Sequence, residues 1–248
     1  MDFGLTGKHI LVTGSSDGFG KALACVLSEE GAILTLHDLA FKEDKLQALC
    51  AELPNADYVC ADLSSPEAAK QLFAEVNSRR PVDMLVNSAA IWPTAYVREM
   101  TTESFEKTVY INMVAPFVLC REFVNALDAR GAKGKIVNMV SQAAFHGSTS
   151  GHAHYAATKA GMVGFSISLA REVAPSGINV NCVAPGMMRT PMNQKALAER
   201  EDEYLKRIPL GRIADPREVA YAVAFLLSNK ADYITGATLD LTGGMLMR

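Results

Sequence analysis

Apolar residues along the chain fall into short runs separated by longer stretches of helical period. The first run, His9-Ile-Leu-Val-Thr13, is rich in β-branched residues, as a buried strand requires. Ala32 to His37, ending at Asp38, repeats the pattern, and Tyr58 to Cys60 is a shorter run just before Asp62. Asp83 to Asn87, Lys135 to Val140, Asn179 to Ala184 and Thr238 to Leu241 complete the strands. Helical spacing is found over Lys21–Glu30, Lys42–Leu53, Pro66–Asn77 and Pro216–Ser228. Two longer stretches run from Thr102 to about Ala129, across Pro116, and from Tyr155 to about Ala174. Gly31 and Pro54 stop helices, and Pro66 sits where a helix tolerates proline, in its first turn. Strand and helix alternate throughout. That order predicts an α/β fold: one doubly wound parallel sheet (a Rossmann fold) with helices on both faces. No repeat or low-complexity linker divides it, so residues 1–248 are expected to form one domain. The polar, charged stretch at about 189–210 is expected to be a mobile helical lid.

Composition narrows the class without naming a chemistry. The 248 residues are 49% hydrophobic and 21% charged, which fits a soluble globular chain. The net charge is −3 with no basic block, which argues against a nucleic-acid or anionic-membrane surface. No apolar run approaches the roughly 20 residues of a membrane span. No basic segment followed by an apolar one marks a signal peptide. Five scattered cysteines without a Cys-x-x-Cys pair read as reduced, buried thiols, which suits a cytoplasmic protein.

Ligands of doubly wound sheets bind beyond the carboxyl ends of the strands, so the chemistry is sought there. Gly14, Ser16, Asp17, Gly18, Phe19 and Gly20 lie between the first strand and the first helix. Glycines permit a tight turn and close backbone approach, and the helix N-terminus offers free N–H groups to a pyrophosphate. Asp38 closes the second strand eighteen residues past Gly20, near the spacing of a ribose-binding carboxylate. A carboxylate there accepts from the ribose hydroxyls and repels a 2′-phosphate. Position 17 is also acidic, and the nearest lysines are Lys21 and Lys42. NAD is therefore expected over NADP.

Tyr155 and Lys159 lie four apart at the start of a helix, on one face. A cation held there lowers the phenol pKa from about 10, which makes Tyr155 a proton donor and acceptor. With Thr13-Gly14-x-x-x-Gly18-x-Gly20, this pair resembles the short-chain dehydrogenase/reductase family. Asp62-Leu63 resembles its adenine-contacting segment, and Asn87-Ser88-Ala89-Ala90 its strand-end motif with two small substitutions. Pro185-Gly186-Met187-Met188-Arg189-Thr190 resembles its turn over the nicotinamide, and Tyr233–Gly236 through Gly244 its C-terminus. The similarity covers essentially the whole chain. It implies one dinucleotide-binding and catalytic domain that moves a hydride between a hydroxyl-bearing carbon and nicotinamide C4. It also implies a catalytic set of Asn112, Ser141, Tyr155 and Lys159, with Lys159 also holding the ribose.

Pro116 has no N–H to give the Asn112 carbonyl four residues earlier, which leaves that carbonyl open to an ordered water. The family is thought to relay protons through such a water. Trp92, Gln142, His152 and Met187, with Ser141 and Tyr155, are expected to touch the substrate. That lining suits a small alcohol or ketone such as a sugar, polyol or cyclic alcohol. His146, His152 and His154 have no recognised metal spacing; no metal is expected, and all three read as solvated loop residues. The rival activity on this scaffold is reduction of a 3-oxoacyl thioester; a non-catalytic NAD-binding regulator is the more distant alternative. The resemblance implies a homotetramer.

Overall fold

The computed structural model describes residues 3–148 and 150–248. Seven strands form one parallel sheet in the order β3-β2-β1-β4-β5-β6-β7. They are β1 His9–Thr13, β2 Ile33–Asp38, β3 Ala56–Cys60, β4 Met84–Asn87, β5 Gly134–Met139, β6 Ile178–Pro185 and β7 Thr238–Leu241. β1 pairs with β2 through Leu11↔Thr35 and with β4 through Leu11↔Leu85. The chain thus builds outward from β1 in one direction, then returns to build the other half from β4. The carboxyl ends of β1 and β4 diverge at that point, and the crevice between them is where such sheets take ligands.

The helices cover both faces because β1 is buried on both. Ile10 and Val12 point into a core with Leu23 and Leu27 of α1 (Gly18–Glu29) and Val219 and Val223 of α9 (Pro216–Leu227). Leu11 points the other way, toward Leu72 and Phe73 of α3 (Pro66–Arg79) and Phe123 of α5 (Ala115–Ala129). Alternation along one strand thus assigns each residue to one of two cores. α2 (Glu43–Glu52) closes the first face through Leu46 and Leu49, and α7 (Ala153–Val173) closes the second through Leu169 and Val173.

The stretch expected as one helix from Thr102 to Ala129 is broken. α4 (Thr102–Val109) and α5 are joined by a π-helical turn, Tyr110–Val114, in which the Ala115 N–H reaches back to the Tyr110 carbonyl. Pro116 follows directly, and its missing N–H is the local reason that the regular ladder cannot continue. A four-residue helix absent from the periodicity reading, α6 (Ala143–His146), follows Ser141. Residues 194–207 form α8 (Gln194–Arg207), with Arg200 out of helical geometry at φ −143°. Leu197, Tyr204, Ile208 and Ile213 pack it into a small cluster of its own, against Met187 and Met245.

Candidate active site

The first turn is held by close packing. A Cβ on Gly14 would lie 2.7 Å from the Ala89 Cα, and the residue has φ +69°. A Cβ on Gly20 would lie 2.0 Å from the Gly14 carbonyl oxygen. Both positions therefore need glycine. The Thr13 hydroxyl accepts from the N–H groups of Ser88 (3.0 Å) and Ala89 (3.1 Å), which locks the β4 end against this turn. Substitution of small residues in the β4-end motif leaves that lock in place.

Asp38 is buried and anchored. Its Oδ2 accepts from the Ser16 N–H at 3.2 Å and the Ser16 hydroxyl at 2.6 Å, and its Oδ1 from the Leu39 N–H at 2.9 Å. Burial pushes the carboxyl up, but these donors and Lys42 outweigh it and hold Asp38 below the usual carboxylate range. Lys42, distant from the turn in sequence, folds back to 3.5 Å from Asp38 and 3.4 Å from Asp17. Lys45 adds a contact to Asp17 at 3.1 Å. A cation therefore does stand at the end of β2, shared between two carboxylates.

A cavity of about 830 Å³ runs along the strand ends. One end is lined by Gly14, Asp17, Gly18, Phe19, Gly20, Asp38, Asp62, Leu63 and Ala89. The other is lined by Trp92, Ser141, Gln142, His152, Tyr155, Lys159, Pro185, Gly186, Met187, Met188 and Thr190. Three expected residues do not line it. Ser16 supports Asp38 from behind. Asn87 donates to Asn138 Oδ1 at 2.8 Å and joins β4 to β5. Asn112, 1% exposed, accepts from the Ile91 N–H (2.9 Å), donates to the Ile91 carbonyl (3.0 Å) and reaches Thr158. Its side chain thus ties the segment carrying Trp92 to α7. Lys107, Tyr204, Arg207 and Met245 also line the cavity, and periodicity gave no sign of them.

Around Tyr155 the geometry differs from expectation in one respect. Lys159 Nζ stands 5.6 Å from the centre of the Tyr155 ring and donates to the Met139 carbonyl at 2.7 Å. Burial pushes the Tyr155 phenol up to about 12, opposed only by the Ser141 hydroxyl, and pushes Lys159 down to about 8. The expected lowering of the phenol pKa by Lys159 is therefore not found: desolvation raises the phenol, and the Ser141 hydroxyl is the one group that opposes it. The Ser141 hydroxyl also accepts from the Ala143 N–H at 3.2 Å, in the first turn of α6.

Two of the three histidines also correct the sequence reading. Only His146 is exposed. His152 is 4% exposed; its Nδ1 donates to the Pro93 carbonyl at 2.8 Å, and its ring stacks on Trp92 with centroids 4.1 Å apart. Trp92 in turn meets Tyr155 edge-on at 6.5 Å. His154 is wholly buried, and neither ring nitrogen has a partner among the described residues. Burial holds both below the ordinary histidine pKa, so they are neutral at neutral pH. Among the described residues, no group of three or more His, Cys, Asp and Glu is placed to hold a metal, and no helix is long and apolar enough to cross a membrane.

The fold and the cavity define a class: an oxidoreductase that uses NAD(P) on CH–OH groups or the matching ketones. The chain belongs to the short-chain dehydrogenase/reductase family. Residues 14–246 match a family model described as enoyl-(acyl carrier protein) reductase. A 3-oxoacyl-(acyl-carrier-protein) reductase of Rickettsia prowazekii is 38% identical over 244 residues, 98% of each chain. Solved structures agree. A protein of Agrobacterium tumefaciens provisionally assigned as a 2-deoxy-d-gluconate 3-dehydrogenase, with bound NADP, superposes with a TM-score of 0.91 at 35% identity, covering 100% of this chain and 99% of that one. A Beutenbergia cavernae protein provisionally assigned as an NAD(P)-dependent gluconate 5-dehydrogenase, also with bound NADP, gives 0.93 at 33% identity over 99% of each chain.

The residues present fit a dinucleotide. The glycine turn opens the N-terminus of α1 into the cavity, the buried Asp38 carboxylate stands at the end of β2, and Tyr155 and Lys159 face the same space.

Proposed function

We propose that this protein transfers a hydride between nicotinamide and a secondary alcohol or hemiacetal carbon of a small polar or cyclic substrate, such as a sugar or polyol. The observation that carries the reading is the shared cavity: Ser141, Tyr155 and Lys159 line it together with the Trp92–His152 stack. The bound cofactor supplies the hydride acceptor or donor and, when oxidised, a positive charge. In alcohol oxidation the Tyr155 hydroxyl, as phenolate, takes the proton; in the reverse direction it gives one back. Ser141 donates to the substrate oxygen and stabilises its developing charge. Lys159 binds the ribose hydroxyls, and its charge together with that of the oxidised cofactor would offset the burial that disfavours phenolate. The backbone carbonyl of Asn112, with no N–H at Pro116 to engage it four residues on, holds a water that returns protons to solvent. Trp92, Gln142, His152 and Met187 position the substrate. At the nucleotide end, Gly14, Gly18 and Gly20 hold the pyrophosphate, Asp62 and Leu63 the adenine, and Pro185 to Thr190 cover the nicotinamide. The segment at 189–210 moves as a lid on these turns, within one domain of 248 residues.

NAD is the preferred cofactor in this reading. Asp38 is buried, anionic and supported by Ser16, and Lys42 beside it is already shared with Asp17. The bound NADP in the two solved relatives favours the other choice, so kcat/KM with the two cofactors is the test. NAD is expected to win by at least about tenfold, and Asp38→Ser to shrink that margin; a strong wild-type NADP preference would overturn it.

A second reading, 3-oxoacyl thioester reduction, draws support from the 38% identity to the Rickettsia enzyme. Rates with NAD and NADP over sugars, polyols, cyclic alcohols and hydroxyacyl thioesters separate the two. Turnover confined to thioesters would replace the first reading by the second.

A further inference from the structure

The lid carries three arginines, and two of them are spoken for. Arg189 pairs with Glu201 at 2.5 Å, and Arg200 with Glu203 at 2.7 Å. Arg207, in the last turn of α8, is exposed, lines the cavity, and has no hydrogen bond or ion pair among the described residues. Its neighbours Tyr204 and Ile208 belong to the cluster that packs on Met187, so it stands at the substrate side of the cavity. The acidic residues of the lining, Asp17, Asp38 and Asp62, all belong to the nucleotide end. A guanidinium facing a cavity whose nearby lining offers no carboxylate is free to take an anionic group on a ligand.

A second observation says what else that ligand carries. Gln142 is 8% exposed, lines the cavity, and its Oε1 is buried without a partner among the described residues. A buried acceptor left unmatched is costly, and a donor hydroxyl on the ligand would relieve it. An apolar acyl chain offers no such donor.

We propose that the substrate is a polyhydroxylated carboxylate, a sugar acid, with its carboxylate on Arg207, a hydroxyl on Gln142 and the reacting oxygen on Ser141 and Tyr155. This rests on the carbohydrate reading above and narrows it. Arg207 and Gln142 act here as specificity determinants, outside the proton chemistry. The recognition is through a surface-facing cation, so it weakens as salt rises.

The test uses the full-length enzyme, its preferred cofactor, a panel of six-carbon aldonates and the alditols of the same carbon chains, with a 3-oxoacyl thioester alongside. Wild-type kcat/KM is expected to favour an aldonate over its alditol by at least about tenfold, and KM for the aldonate to rise with ionic strength. Arg207→Gln should collapse that ratio toward one, chiefly by raising the aldonate KM about 10- to 100-fold, as loss of a charge-assisted contact implies. Arg207→Lys should recover part of the ratio. An unchanged melting temperature and cofactor Kd in Arg207→Gln would show that the fold is kept. Equal use of aldonate and alditol, with a ratio indifferent to Arg207, would overturn the sugar-acid assignment and leave the carbohydrate reading standing. Turnover of the thioester alone would overturn both.

Discussion

Burial acts in opposite senses on Tyr155 and Lys159, and the pH dependence follows from the signs. Ketone reduction needs Tyr155 protonated and Lys159 charged. The phenol keeps its proton to about 12 and the ammonium to about 8. Reduction kcat/KM is therefore expected to be flat up to about pH 8 and to fall above it as Lys159 loses its charge. Alcohol oxidation needs the phenol to lose its proton, so its kcat/KM should climb between about pH 6 and 8, tenfold per unit at most. Initial rates in both directions check this; a reduction rate that rises with pH would contradict the roles given to the two groups. That Ser141, Tyr155 and Lys159 share one cavity was legible in the sequence, Tyr155 and Lys159 from their helical spacing and Ser141 from the family resemblance at a strand end. Their protonation was not, because desolvation depends on what the whole fold packs around them. The same reason hides His154: it follows a run of Gly, Ser and His residues, and only the tertiary structure reveals a wholly buried ring.

At the scale of elements, the break at Tyr110–Val114 has a visible local cause. Pro116 withholds the N–H that the Asn112 carbonyl would receive, and the chain answers with a π turn. Pro116→Ala restores that N–H. It is expected to lower kcat for oxidation by about tenfold, the low side of what acid–base steps contribute, with cofactor affinity unchanged. An unchanged kcat would mean that the proline serves packing alone. The central strands and most helix bounds could be read from periodicity because they are buried in a regular pattern, as the alternation of Ile10, Leu11 and Val12 between two cores illustrates. α6 could not, since four residues after a strand end carry no period. Nor could the fold-back of Lys42 onto Asp17 and Asp38, a contact between elements that local pattern does not encode.

For the whole molecule, we propose the homotetramer that the family resemblance implies, and two sets of exposed apolar side chains are compatible with it. Phe105, Tyr110, Phe117 and Ile167 lie on the α4–α5 and α7 surface, from 38% to 43% exposed. Tyr221, Leu239 and Met247 form a second set on α9, β7 and the C-terminal tail, from 39% to 75% exposed. Light scattering at micromolar concentration is expected to give the mass of four chains, and Phe117→Glu to shift it downward. A wild-type monomer would contradict the assembly. The central claim is the chemistry at Tyr155, around which the sheet, the nucleotide turn and the lid are arranged. Its most direct test is Tyr155→Phe, measured by cofactor titration and by turnover on the same preparation. Cofactor Kd should stay within about threefold of wild type, while kcat falls by about 10²–10⁴, the span of a general acid–base contribution. A variant that binds cofactor normally and keeps near-normal kcat would contradict the mechanism.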